Sequence, residues 1–409
     1  MNILFLTMAR ITSLSSSGIY LDLFRNIVSK GHKVYIAAPA ERHLKEETNL
    51  KEFDGYSVLR IKVGNLQKTN LIEKGISTLM LEGQFLAAIK KYFSDVKFDM
   101  VIYSTPPITF TKVIDFIKKR DGAVSYLLLK DIFPQNAVDL EMFSKKSVIY
   151  KYFRSKEKKL YRQSDYIGCM SQANVDYVLK HNPFVDRDIV HISPNSLEIS
   201  EEKISVNIKE IRNKFKIPLD AKVFLYGGNL GKPQGIPFLI DCLKANMRKN
   251  DRFFVICGTG TEYTRLKAFF NEQKPDNMLL INGLPVDEYN RLVCACDVGL
   301  IFLDKRFTIP NFPSRLLSYM QYSMPVLAAT DKSTDIGKVI SEGDFGWWCE
   351  SADAEIFTKT IDEALTRKDE FDVLGKNAYN YMEKNYNVDS QAETIIACFK
   401  KTIEKRKKL

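Results

Sequence analysis

Two loops in the second half of this 409-residue chain have the residue types and spacing to hold an anion. The first, YGGNLGKPQGI from Tyr226 to Ile236, sets Gly227, Gly228, Gly231 and Gly235 between an apolar strand pattern and an amphipathic helical one. Glycine tolerates φ > 0, so backbone N–H groups can turn toward an anion there. A helix N-terminus adds partial positive charge, and Lys232 adds a full one. A diphosphate suits such a loop; a glycine-rich turn without a ligand is the alternative, because isolated glycine patterns are weak signals. The second loop is NFPSRLLSYMQYSMPVLAATD, residues 311–331, where Pro313 suits the first helical position and Ser314 and Arg315 follow in the first turn. A guanidinium can chelate phosphate oxygens in bidentate fashion; an ordinary surface ion pair is the alternative.

A third segment carries charge of another kind. From Lys145 to Arg162, in KKSVIYKYFRSKEKKLYR, basic residues interleave with aromatic and aliphatic ones, and only Glu157 opposes them. Lys145, Lys146, Lys151 and Arg154, with Tyr152 and Phe153, have the composition of a membrane-docking surface, cations for anionic headgroups and rings for the interfacial layer. A solvated helix face whose rings belong to the core is the alternative.

These loops need rigid elements behind them. NILFLTM, KVYIAAP, YSVLRI, DMVIYSTP, AVSYLLLKDIFP, DYIGCMS and IVHISPN alternate with helical patterns and end in polar or turn residues, the rhythm of a parallel, doubly wound sheet. AKVFLYGG, RFFVICGTG, NMLLING, DVGLIFLD, MPVLAATD and FGWWCE repeat it. The class is therefore α/β, with two Rossmann-like domains, as a chain longer than one core usually organises also suggests. Apolar periodicity lapses in SLEISEEKISVNIKE, which puts the boundary near residue 200: one domain over 1–200, the other over 201–389. SQAETIIACFKKTIEKRKKL reads as a helix with a basic end, residues 390–409, expected to complete the first domain.

With 45% hydrophobic and 27% charged residues the composition is that of an ordinary folded protein. The seven cysteines form no CxxC pair and read as reduced, buried thiols, which suits a cytoplasmic location. No secretory leader pattern opens the sequence, and no stretch has the ~18 apolar residues of a membrane span. A charge of +10 calls for an anionic partner. Nucleic acid is disfavoured because no binding module or stacking platform is evident. A tandem dehydrogenase fails because the first strand runs into MARITSLSSSG and not a GxGxxG turn.

The order GGNLGKPQG, CGTG, INGLP, PSRLLSYMQYSMPVLAATD resembles the nucleotide-sugar domain of family 4 glycosyltransferases, which are retaining enzymes of the GT-B fold. In the first half, the SSSG loop, KDIFPQNAV, and CMSQANVDYVLKH before SPN resemble the sugar-lipid branch of that family, so the likeness covers nearly the whole chain. It implies two doubly wound domains facing across a cleft. It also implies a donor pyrophosphate held by Gly228, Asn229, Lys232 and Gln234, with Gly258 in the same domain and Ser314 and Arg315 near the phosphates or ribose. Gly18 would let the N-terminal loop approach the reaction centre, and Asp131 would take the proton of the acceptor hydroxyl; a strand-end cap is the other reading of Asp131.

Two departures stand out. Asn229 and Gln234 occupy positions where an Arg and a Lys usually grip the diphosphate, with Lys232 and Arg315 as the compensating cations. The family's pair of glutamates seven residues apart is missing, Ser318 standing at its second position. None of the four histidines has metal-ligand spacing and no DxD site has convincing context, so transfer is expected without a metal or other cofactor. The function implied is hexosyl or N-acetylhexosaminyl transfer from a nucleotide-sugar, with UDP the expected nucleotide, to an undecaprenyl-diphosphate-linked glycan. The setting implied is bacterial capsule or O-antigen biosynthesis at the inner face of the cell membrane. A catalytically idle glycan- or nucleotide-binding protein of the same fold is the alternative.

Overall fold

The structure, a computed structural model, describes residues 1–66, 69, 71–199 and 206–408. The chain divides into two compact units, Met1–Glu198 with Asn387–Leu409, and Ile199–Tyr386. Residues 200–205 of the polar boundary stretch lie outside the described residues.

The first unit is built on an eight-stranded sheet: β1 (Asn2–Leu6), β2 (Lys33–Glu41), β3 (Asn49–Phe53), β4 (Tyr56–Val63), β5 (Met100–Ser104), β6 (Val124–Leu129), β7 (Tyr166–Cys169) and β8 (Val190–Ile192), in the order β3-β4-β2-β1-β5-β6-β7-β8. Every pairing is parallel except that of β3 with β4, a hairpin closed at Asp54 and Gly55. The interior strands β5 and β6 are buried at every residue, as strands covered on both faces must be, which is why MVIYS and VSYLLL read as apolar runs interrupted only by the small Ser104 and Ser125. β3 was invisible to that logic: NLKEF is an edge strand, mostly exposed and charged, and its pattern carries no apolar run.

The second unit repeats the design with β9 (Lys222–Asn229), β10 (Arg252–Thr259), β11 (Met278–Ile281), β12 (Val298–Phe302), β13 (Val326–Thr330) and β14 (Gly346–Glu350), all parallel, in the order β11-β10-β9-β12-β13-β14. Its core joins Phe224, Tyr226, Phe254, Ile256, Leu300 and Phe302 to helix residues such as Leu239 and Phe357.

The last helix, Val388–Lys407, belongs to the first unit. Asn387 caps it, its side chain accepting the Asp389 N–H at 2.9 Å. Val388, Ala392 and Ile395 are buried in one cluster with Phe5, Phe24 and Ile27. The Val388 N–H donates to the Leu197 carbonyl at 3.1 Å, closing the chain back onto the segment that follows β8.

Candidate functional sites of the two units

In a doubly wound sheet, ligands bind beyond the carboxyl ends of the strands, where the strand order reverses. In the first unit that point lies beside β1, flanked by β2 and β5. The loop after β1 is organised by the buried Asp22. Its carboxylate accepts the Gly18 N–H (3.0 Å), the Ser17 hydroxyl (3.3 Å) and the Glu198 N–H (3.2 Å), and it pairs with Arg25 at 2.8 Å. Gly18 is the N-cap of the helix Ile19–Ser29, with φ 159°. A Cβ there would meet only Leu21, at an ordinary 3.6 Å, so within this unit it is the backbone conformation, one that L side chains rarely adopt, and not crowding that favours glycine.

Asp131 follows β6 at the same end of the sheet. The Thr105 hydroxyl fixes the turn, accepting the N–H groups of Lys130 (3.0 Å) and Asp131 (3.2 Å) and donating to the Asp131 carbonyl (3.0 Å). The Asn136 side-chain NH₂ donates to both Asp131 carboxylate oxygens, at 2.9 and 2.8 Å. Burial pushes the Asp131 carboxyl up to about 6, with the Ile132 N–H and Asn136 pulling it back down. A carboxylate poised there is ionised at neutral pH yet basic enough to take a hydroxyl proton. Its neighbour Lys130 donates to the Ser193 carbonyl at 3.1 Å, and burial pulls its ammonium down to about 7.

The basic segment splits into two kinds of residue. Lys145, Lys146, Lys151 and Tyr152 are exposed at the start of the helix Val148–Gln163, whose N-cap Ser147 accepts the Tyr150 N–H at 3.1 Å. Arg154 and Phe153 are partly buried and engaged within the unit. Arg154 pairs with buried Glu157 at 2.6 Å and donates to the His181 carbonyl and Asn182 Oδ1. Phe153 packs edge-on to Phe133 with ring centres 4.9 Å apart. Glu157, which looked like the lone opposing surface charge, is interior and also accepts the Tyr161 hydroxyl.

In the second unit the order reverses at β9 and β12, and the glycine loop leaves β9 there. Gly228 has φ 119°, and a Cβ on it would come within 2.9 Å of Arg315 Nη2. Gly258 lies beside it in β10, where a Cβ would fall 1.9 Å from the Gly228 carbonyl oxygen. Gln234 Oε1 accepts from the Gly231 N–H (3.1 Å) and from Asn229 Nδ2 (3.2 Å), so these two amides shape the loop. Lys232 is exposed in the short 3₁₀ turn Lys232–Gln234.

Arg315 opens the helix Arg315–Gln321, with Ser314 as its exposed N-cap. The helix therefore starts two residues later than the Pro313 signal indicates, because the Leu316 and Leu317 N–H groups close tighter turns back to Pro313 and Ser314. The guanidinium lies 4.2 Å over the Tyr226 ring, and its buried Nη1 has no hydrogen-bond partner. Beneath the loop, the Tyr319 hydroxyl accepts the Gly227 N–H (3.1 Å) and donates to the Leu225 carbonyl (3.1 Å), with the Leu300 carbonyl 3.2 Å away.

Thr105, Lys130, Asn136, Tyr226 and Tyr319 are the members of these sites that sequence reasoning passed over. Asn136 lay inside the quoted KDIFPQNAV, Tyr226 inside YGGNLGKPQGI and Tyr319 inside NFPSRLLSYMQYSMPVLAATD, each without a role assigned to it.

A six-stranded parallel sheet behind a glycine loop, carried in tandem with a second doubly wound sheet, is the GT-B fold. The HepE structure from Anabaena, solved with UDP-glucose, superposes with a TM-score of 0.70 over 99% of this chain and 100% of its own, at 14% identity. Residues 207–381 match the family described as Glycosyl transferases group 1, so the second unit carries a group 1 glycosyltransferase domain and the chain is a glycosyltransferase. A probable glycosyltransferase, WbjE of Pseudomonas aeruginosa, is 25% identical over 349 residues, 83% of each chain. The putative colanic acid biosynthesis glycosyl transferase WcaI of Escherichia coli K12 is 23% identical over 151 residues, 36% of each.

Proposed function

We propose that the chain is a retaining family 4 glycosyltransferase that moves a sugar from a UDP-sugar onto an undecaprenyl-diphosphate-linked glycan. Its setting is the assembly of a bacterial surface polysaccharide such as capsule or O-antigen, at the inner face of the cell membrane. Residues 201–389 take the donor, and residues 1–200 with the final helix take the acceptor. The observation that carries the reading is Arg315: a half-buried cation stacked on Tyr226, with an unpartnered N–H beside Gly228, is a costly arrangement unless an anion completes it. UDP-glucose in HepE and the colanic acid role in the name of WcaI support the donor and the pathway.

In this reading the sugar leaves its diphosphate as Arg315, Lys232 and the backbone N–H groups of residues 228–231 take up the growing negative charge. Gly228 and Gly258 keep side chains out of the space the phosphates fill. Asp131 accepts the proton of the attacking hydroxyl, held in place by Thr105 and Asn136. No metal is required, since the cations and N–H groups meet the charge. Exposed Lys145, Lys146, Lys151 and Tyr152 hold the first unit at an anionic bilayer, where a lipid-linked acceptor resides.

The test is a thermal-shift and calorimetric screen against UDP, GDP, ADP, CMP and NAD, with and without Mg²⁺. A shift with UDP that does not need Mg²⁺ is expected; a response to none of the nucleoside diphosphates rejects the donor site. UDP binding without turnover on lipid-linked acceptors would leave the idle-binding alternative.

A further inference from the structure

Large apolar side chains stand in water on two neighbouring helices of the first unit. Ile76, Leu79 and Met80, on the helix Leu71–Tyr92, are 55%, 63% and 56% exposed. Val148, Ile149 and Tyr152, on the helix Val148–Gln163, are 81%, 54% and 39% exposed, with Met142 bare just before them. Single exposed apolar residues need no explanation, but a clustered set does.

Glu82 shows how the two helices are disposed. Its carboxylate accepts the Lys112 N–H and the Thr111 hydroxyl, both in the first turn of the helix Thr111–Asp121, and faces Lys156 at 3.7 Å. The middle helix therefore begins at the level of Glu82 and Lys156. Everything N-terminal to Glu82 on one flanking helix, and to Lys156 on the other, runs on past that start. Ile76, Leu79 and Met80 lie on the first projecting half; Val148, Ile149 and Tyr152 lie on the second. Helices of a doubly wound sheet begin at the carboxyl ends of the strands, so both halves project at the end that carries Asp131.

Resting on the reading that the chain works at a bilayer, we propose that these two projecting helix halves form one docking face, with Ile76, Leu79 and Met80 entering the interfacial layer beside Val148, Ile149 and Tyr152. The occupant is an anionic lipid surface. Lys145, Lys146 and Lys151 border the apolar side chains and are exposed, which matches anionic headgroups. A second copy of this chain would bring two sets of these three lysines into one two-fold interface, with no acidic patch among the described residues bordering the face to balance them, an arrangement that like charges oppose. Docking through both halves faces the Asp131 end of the sheet toward the headgroups.

Flotation of the full-length protein with phosphatidylglycerol–phosphatidylcholine vesicles, and with phosphatidylcholine alone, tests this. Leu79→Asp with Met80→Asp is compared with a triple Lys→Glu change at 145, 146 and 151, the melting temperature serving as the control for folding. The expected result is that the double variant, with unchanged melting temperature, partitions onto the anionic vesicles about tenfold or more less than the unaltered protein. If the double variant binds fully while the triple variant is released, the two-helix face is wrong and the Val148–Gln163 helix docks alone. If the unaltered protein ignores both kinds of vesicle, the face and the membrane reading fail together. A lipid-independent dimer that the double variant loses would assign the face to a second copy and overturn the proposal.

Discussion

The side-chain amide of Asn136 reaches both carboxylate oxygens of Asp131, at 2.9 and 2.8 Å. With its NH₂ committed there, the amide must turn its Oδ1 the other way, where that oxygen is buried without a partner. The contact holds the Asp131 carboxylate in one orientation and leaves Asn136 Oδ1 as an unused acceptor on the far side of the amide.

The rate of transfer should follow the ionisation of Asp131. Its carboxyl is pushed up to about 6 from the ordinary 3.8, so kcat/KM is expected to fall as pH drops through about 6. Stability runs the opposite way. A raised carboxyl favours the protonated folded state, so its stabilising share is complete below about pH 4 and is lost as pH rises through about 6. Asp131→Asn should lower kcat by roughly 10²–10⁴-fold and abolish the acid limb.

Asn136→Ala removes hydrogen bonds that favour the ionised carboxylate, so the acid limb should move to higher pH. A pH–rate profile of this variant that overlays the unaltered one would show that Asn136 does not tune Asp131.

Arg315→Ala should weaken UDP binding by roughly 1.5–3 kcal/mol, the worth of a hydrogen bond to a charged group. Calorimetric titration measures it directly, and unchanged affinity would remove Arg315 from the donor site.

Tyr319→Phe deletes the hydroxyl that satisfies the Gly227 N–H under the glycine loop. A buried N–H left unpaired costs about 1–3 kcal/mol, so both melting temperature and UDP affinity should fall. Loss of stability alone would mean that the loop keeps its shape without this anchor.

Arg154→Glu separates structural from docking cations. It would set a carboxylate against buried Glu157 and should cost about 3–5 kcal/mol of stability, seen in denaturant unfolding. The same change at Lys151, which is exposed, should leave the melting temperature unmoved.

The strands of both sheets were legible because interior parallel strands are buried at every residue, as β6 and β12 are, and so are mostly apolar. The edge strand β3 was not, since an exposed edge has no such requirement. The glycine loop could be read because a backbone that crowds Arg315 at Gly228 and meets Gly258 excludes side chains. The partners of Arg154 were not legible for a physical reason: in the sequence it is one of several cations, and only the fold brings it to Glu157, His181 and Asn182. Thr105 acts on Asp131 from the end of another strand, a relation that no local spacing encodes.

The first unit takes its last helix from beyond residue 387, after the whole of the second unit has been threaded out and back. On a ribosome adding roughly 5–20 residues per second, the nascent sheet waits about 10–40 s for Val388, Ala392 and Ile395 to cover Phe5 and Phe24. During that interval the first unit carries bare apolar surface where Val388, Ala392 and Ile395 will pack, which makes it the part most in need of a chaperone.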